Sequence, residues 1–98
     1  MLDYNGFQID GRTKDIMDLE PLPAKWQAFG WHTIEIDGHN MKQILSAYEE
    51  AKIIKGKPTI IIARTIKGKG VSFMENVLDF HGRAPTKEEA ERALKELE

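Results

Sequence analysis

The sequence contains no cysteine, so disulfides and thiolate metal sites are excluded. It also lacks a charge imbalance: 14 Lys and Arg against 16 Asp and Glu leave a formal net charge of −2. Proteins that bind nucleic acid or lie on anionic membranes carry a basic excess, so neither is expected as a partner. No apolar stretch approaches the roughly 18 residues needed to span a bilayer. After Met1 the chain turns acidic at Asp3 instead of running basic and then apolar. No signal peptide is read, and a cytoplasmic protein is the expectation. Internal repeats and low-complexity segments are absent as well. With 41% hydrophobic and 31% charged residues, wholesale disorder is excluded. A chain of 98 residues is long enough for one small domain, residues 1–98.

The patterning alternates between two periods. Phe7-Gln8-Ile9 alternates and stops at Asp10-Gly11, which predicts a short strand near 6–9. Residues 12–18 read as a loop or a single helical turn. Glu20-Pro21-Leu22-Pro23 sets up a helix start, because proline is tolerated in a first turn. Leu22, Trp26 and Phe29 share one face of that helix, near 22–29, and Gly30 ends it. Residues 31–36 are aromatic and β-branched and predict a second strand. Asn40 then caps a helix near 40–54, with Gln43 in capping-box position and Met41, Ile44, Leu45, Tyr48 and Ala51 as its apolar stripe. Residues 58–65 form a continuous β-branched run, the pattern of a strand buried on both faces. A basic glycine-rich loop, Ile66–Gly70, leads to a short helix expected at 71–76 and an irregular stretch at 77–85. Thr86 and Glu89 cap a last helix near 86–97, with Ala90, Ala93, Leu94 and Leu97 as its apolar face. Strand, helix, strand, helix, strand and helix in this order predict an α/β fold: a doubly wound parallel βαβαβ sheet with a C-terminal helix, half of a larger three-layer domain.

In parallel sheets ligands collect beyond the carboxyl ends of the strands. Asn5-Gly6 by itself is a turn signal, but an asparagine amide oxygen there can also serve a hard cation such as Mg²⁺. The Ile66–Gly70 loop has glycines that let backbone N–H groups approach an anion, and Lys67 and Lys69 to balance it. Its spacing matches neither the P-loop nor the dinucleotide fingerprint. Phosphate binding and a solvated turn both remain open. His39 reads as a turn residue. Trp26 and Trp31 read as core or interface residues, and the glutamates of the last helix as a solvated face.

Asp3-Tyr4-Asn5-Gly6-Phe7-Gln8-Ile9-Asp10-Gly11 resembles the second half of the thiamin-diphosphate motif of transketolases. Ala63–Gly70, Phe73-Met74-Glu75-Asn76 and His81-Gly82-Arg83-Ala84-Pro85 are similar to the tail of the same domain, most of all in the short amino-terminal subunits of that family. Glu35–His39 and Gly56–Thr59 add weaker support, and the resemblance covers essentially the whole chain. It implies that Asn5 and the carbonyl of Phe7 are Mg²⁺ ligands and that Ile9 lies against the thiazolium ring. It makes Ile66, Lys67 and Gly68 candidates for cofactor contact. It implies that His81 reaches both the cofactor diphosphate and the sugar donor, as a catalytic residue.

The implied reaction is transfer of a two-carbon ketol unit between sugar phosphates, with thiamin diphosphate and Mg²⁺ as cofactors. The family's site also needs a Gly-Asp-Gly segment and a glutamate from a pyrimidine-binding domain, and neither is in this sequence. The expected partners are therefore that upstream segment and that domain or subunit, in a homo- or hetero-oligomer. An excised fragment, a relic and the product of a split gene all fit. So does a non-catalytic, self-associating module descended from a transketolase.

Overall fold

Ile62 is completely buried because it lies on the middle strand of a three-stranded parallel sheet. The computed structural model describes residues 1–98. The sheet is built from β1 (Leu2–Tyr4), β4 (His32–Asp37) and β5 (Thr59–Arg64), in the order β1-β5-β4. Both pairings are parallel, with Leu2 opposite Ile62 and Ile34 opposite Ile61. The β-branched run Ile60-Ile61-Ile62 is apolar on both faces because both are covered. Ile61 and Ala63 pack with Ile36, Ile44, Ala47 and Ala51 under helix α3 (Met41–Ile53). Ile60 and Ile62 pack with Leu2, Leu22, Trp26 and Trp31 under helix α2 (Leu22–Ala28). Trp26 and Trp31 meet edge to face at 4.8 Å, the geometry that the ring quadrupole favours.

The helix ends follow local chemistry. Pro23 sits in the first turn of α2, and Gly30 takes a φ of +82° after it. The Asn40 side chain accepts the Gln43 N–H at the start of α3. Gln43 does not return the bond to Asn40. Its Oε1 accepts the Asp37 N–H instead, at 2.8 Å, which ties α3 to the end of β4. Helix α4 (Lys87–Leu97) has the full reciprocal box between Thr86 and Glu89.

Three expectations need correction. The strand expected near 6–9 is not part of the parallel sheet. The sheet strand is Leu2–Tyr4, whereas β2 (Phe7–Gln8) pairs antiparallel with β3 (Gly11–Arg12) in a separate hairpin followed by the one-turn helix α1 (Thr13–Ile16). The cause is the Asn5-Gly6 turn, where Gly6 takes a φ of +77° and carries the chain off the sheet. The expected helix at 71–76 is a series of turns that ends at Asn76 with a φ of +58°. The apolar stripe of α3 also divides. Ile44, Ala47 and Ala51 face the sheet, while Met41, Leu45 and Tyr48 are exposed: Tyr48 lies toward the β1 edge, where its hydroxyl is 3.9 Å from Met1 Sδ, whereas Gln43 and Glu50 occupy the β4 side and bond Asp37 and His32. Phe29, Leu94 and Leu97 are exposed too. No helix is long and apolar enough to cross a membrane.

Candidate functional site

The ends of β1, β5 and β4 open into three loops on one edge of the sheet, and each loop is held by specific contacts. Asn5 follows β1. Its side-chain oxygen accepts the Phe7 N–H at 2.9 Å, forming an Asx turn, and the Gly6 carbonyl accepts the Thr13 N–H at 2.9 Å. Thr65 follows β5, and its hydroxyl donates to the Asp3 carboxylate. Gly38 follows β4 and donates its N–H to the Arg64 carbonyl at 2.8 Å. A Cβ at Gly38 would lie 2.4 Å from Thr65 Cγ2 and 3.1 Å from Ala63 Cβ, so this close approach of the β4 loop to β5 requires glycine.

The basic loop is pinned on both sides. Gly68 has a φ of +74°, and a Cβ there would lie 2.5 Å from the Met74 carbonyl oxygen, so this turn requires glycine. The Lys67 carbonyl accepts the Asn76 N–H at 2.9 Å. Lys69 pairs with Glu75 at 3.5 Å. The Glu75 carboxyl is held below the usual range, first by the Gly70 N–H bond and then by the Lys69 charge. That leaves Lys67 as the cation of the loop without a carboxylate partner.

Asn5, Phe7, Lys67 and His81, 76 positions apart from first to last, line one small cleft of about 100 Å³ together with Gln8 and Leu78. His81 ends a 3₁₀ turn, Leu78–His81. Ile9 lies outside this cleft and is 70% exposed. Ile66 faces a second cleft, of about 420 Å³, with Glu35, Asp37, His39 and Arg64. Four of the expected residues are therefore brought together, while Ile9, Ile66 and Gly68 are not in their cleft.

The segment after His81 is fastened to α4. Arg83 makes two hydrogen bonds to the Glu89 carboxylate, at 2.7 and 2.8 Å, and its guanidinium lies 4.1 Å from the Phe80 ring centre. Glu89 is lowered to about 2, first by Arg83 and then by the Thr86 N–H. A depressed carboxylate contributes stability above its unfolded value and loses it as pH falls toward the folded one. Acidification from the ordinary glutamate range to about pH 2 is therefore expected to unwind the start of α4 and release the His81 segment. Far-UV circular dichroism checks this, and Glu89→Gln should remove most of the acid step.

Position in sequence did not reveal the charged groups gathered next to Asn5. A neighbouring cleft of about 450 Å³ contains Tyr4, Asn5, Arg12, Lys14, Asp18, Glu20 and Arg64. Tyr4 donates to Glu20 at 3.0 Å, and Arg64 reaches Glu35 at 2.9 Å and Glu20 at 3.7 Å. The Tyr4 hydroxyl is raised by burial and by Glu20.

Residues 1–97 match the family described as "Transketolase, thiamine diphosphate binding domain". The chain belongs to the transketolase family. It is 54% identical over 96 residues to the 6-deoxy-6-sulfo-D-fructose transketolase subunit SqwG of Clostridium sp. (strain MSTE9), covering 98% of this chain and 35% of that protein. It is 38% identical to an apulose-4-phosphate transketolase subunit of Phocaeicola vulgatus, covering 99% and 34% respectively. Among solved structures, the transketolase of Campylobacter jejuni superposes with a TM-score of 0.86 at 30% identity, over 95% of this chain and 14% of that one. The chain thus spans about a third of the length of these two curated transketolase subunits. The parallel sheet and its flanking helices are those of the transketolase thiamine diphosphate binding domain.

Proposed function

We propose that this chain supplies the metal-and-diphosphate side of a transketolase site, and that the complete assembly transfers a two-carbon ketol unit between sugar phosphates. The observation that carries the reading is the single cleft shared by Asn5, Phe7, Lys67 and His81. Its donor set suits the cofactor pair. Asn5 Oδ1 has one lone pair engaged by the Phe7 N–H and a second available, and the Phe7 carbonyl adds another neutral oxygen, as a hard cation prefers. The chain has no group of three His, Asp or Glu side chains that could hold a metal alone. Mg²⁺ would therefore draw its remaining ligands from the diphosphate, water and a carboxylate on another segment. When bound, thiamin diphosphate supplies the nucleophilic carbon and the electron sink for breaking and forming the C–C bond.

The other roles belong to side chains of this chain. Lys67 balances diphosphate charge. His81 holds donor oxygens and can give or take a proton at its ring nitrogens. Ile66, Gly68 and Ile9 provide the loop backbone and an apolar wall for the cofactor once the assembly is closed. The partners are a segment carrying Gly-Asp-Gly and a pyrimidine-binding domain or subunit. The names of the transketolase subunits that this chain resembles support such a division.

The 98-residue chain alone, mixed with thiamin diphosphate, Mg²⁺, a ketose phosphate and an aldose phosphate, is expected to give no product above background. Adding the completing segments should give turnover. Turnover by the isolated chain would mean that the list of required groups is wrong. The rival reading is a non-catalytic, self-associating module. Exposure of Met41, Leu45, Tyr48, Leu94 and Leu97 favours it, since such apolar surface favours association. A stable self-assembly that neither binds the cofactor nor gains activity with the completing segments would select it.

A further inference from the structure

We infer that His39, as the neutral imidazole, is a positioning residue that holds the Ile66–Gly70 loop at the edge of the site. Its Nε2 lies 2.7 Å from the Ile66 backbone nitrogen. An amide N–H can only donate, so Nε2 must be the unprotonated acceptor, and the ring proton of the neutral form sits on Nδ1. This bond joins the β4–α3 turn to the first residue of the basic loop. The turn itself is held by three further hydrogen bonds. The His39 N–H donates to Asp37 Oδ1 at 2.9 Å, the Asp37 N–H donates to Gln43 at 2.8 Å, and Gly38 is bonded to Arg64.

On the far side, the Asn76 N–H holds the Lys67 carbonyl, and Glu75 holds the Gly70 N–H at 3.1 Å. The loop is thus clamped at both ends, with His39 as the only titratable side chain at its entrance that bonds a loop N–H. Ile66 is followed directly by Lys67, which lines the cleft with Asn5 and His81. The position of the His39 ring therefore sets where that ammonium enters the site. This last consequence rests on the proposed diphosphate role of the cleft, whereas the clamp itself does not.

The test is hydrogen exchange of the 66–70 segment in the assembled, cofactor-free protein, corrected for intrinsic exchange. His39→Ala should lose about 10-fold of the wild-type protection, the order expected for one hydrogen bond. His39→Gln places an amide oxygen near the same position and should restore most of the protection. Equal protection in wild type and His39→Ala would overturn the clamp, as would His39→Gln exchanging as fast as His39→Ala.

Mg²⁺-dependent thiamin diphosphate affinity, measured in parallel, should follow loop protection across the three proteins. If the loop responds as expected but wild type binds no cofactor, the proposed function fails and the clamp stands. If wild type binds and affinity ignores His39, the link from clamp to site is overturned.

Discussion

Asn5→Ala in the assembled enzyme is expected to weaken Mg²⁺-dependent cofactor binding by about 10- to 100-fold, the range for losing a contact to a charged group or an element of a metal site. Mg²⁺ demands near-ideal octahedral geometry, so an oxygen lost from a rigid turn is not easily replaced by one from a neighbouring side chain. Raising Mg²⁺ and thiamin diphosphate should restore much of the rate by mass action. The substitution also removes the acceptor of the Phe7 N–H, so a looser turn is a competing cause. The metal titration separates the two, because a turn defect would lower affinity without steepening its dependence on Mg²⁺. Asn5→Asp keeps an oxygen in both roles and should retain binding. Titration calorimetry that finds no change in Asn5→Ala would remove Asn5 from the site.

His81→Ala should behave in the opposite way. A group that holds donor oxygens more strongly as charge develops on them acts on the transition state, and only such contacts raise turnover. Removing one preorganised donor of this kind costs on the order of 10²-fold in kcat, with a small change in cofactor affinity and no rescue by added Mg²⁺ or cofactor. Steady-state kinetics at saturating cofactor measure this. The surroundings of His81 make the test a clean one: its segment is held through Arg83 and Glu89 and not through its own ring, so truncation should leave the segment in place. If neither variant alters affinity or rate in an assembly that is active with the wild-type chain, the resemblance records ancestry without a site.

Chemistry confined to a few neighbouring residues could be read without coordinates. Proline in a first turn, asparagine and threonine caps, glycine after α2 and β-branched runs all act over a turn or less. They placed α2, α3, α4, β4 and β5 within one or two residues of where they lie. The parallel α/β class followed from their order. The quoted motifs, Asp3–Gly11 and His81–Pro85, carried the family. Asn5, Phe7, Lys67 and His81 could therefore be named in advance, and they line one cleft.

Tertiary structure decided what depends on contacts between distant segments. Whether Leu2–Tyr4 or Phe7–Gln8 joined the sheet turned on the Gly6 backbone and on the partners that Ile62 and Arg64 offer across 60 residues. The division of the α3 stripe depended on where the sheet ends, and periodicity carries no record of an edge. Ile9 was exposed because the hairpin leaves the sheet. His39 looked like a turn residue, and it is one, but its ring nitrogen meets an amide 27 positions away. Short-range rules determine which elements form because their energies act within a turn. Which side chains share a cleft is set only when hydrophobic burial brings those elements onto a common sheet.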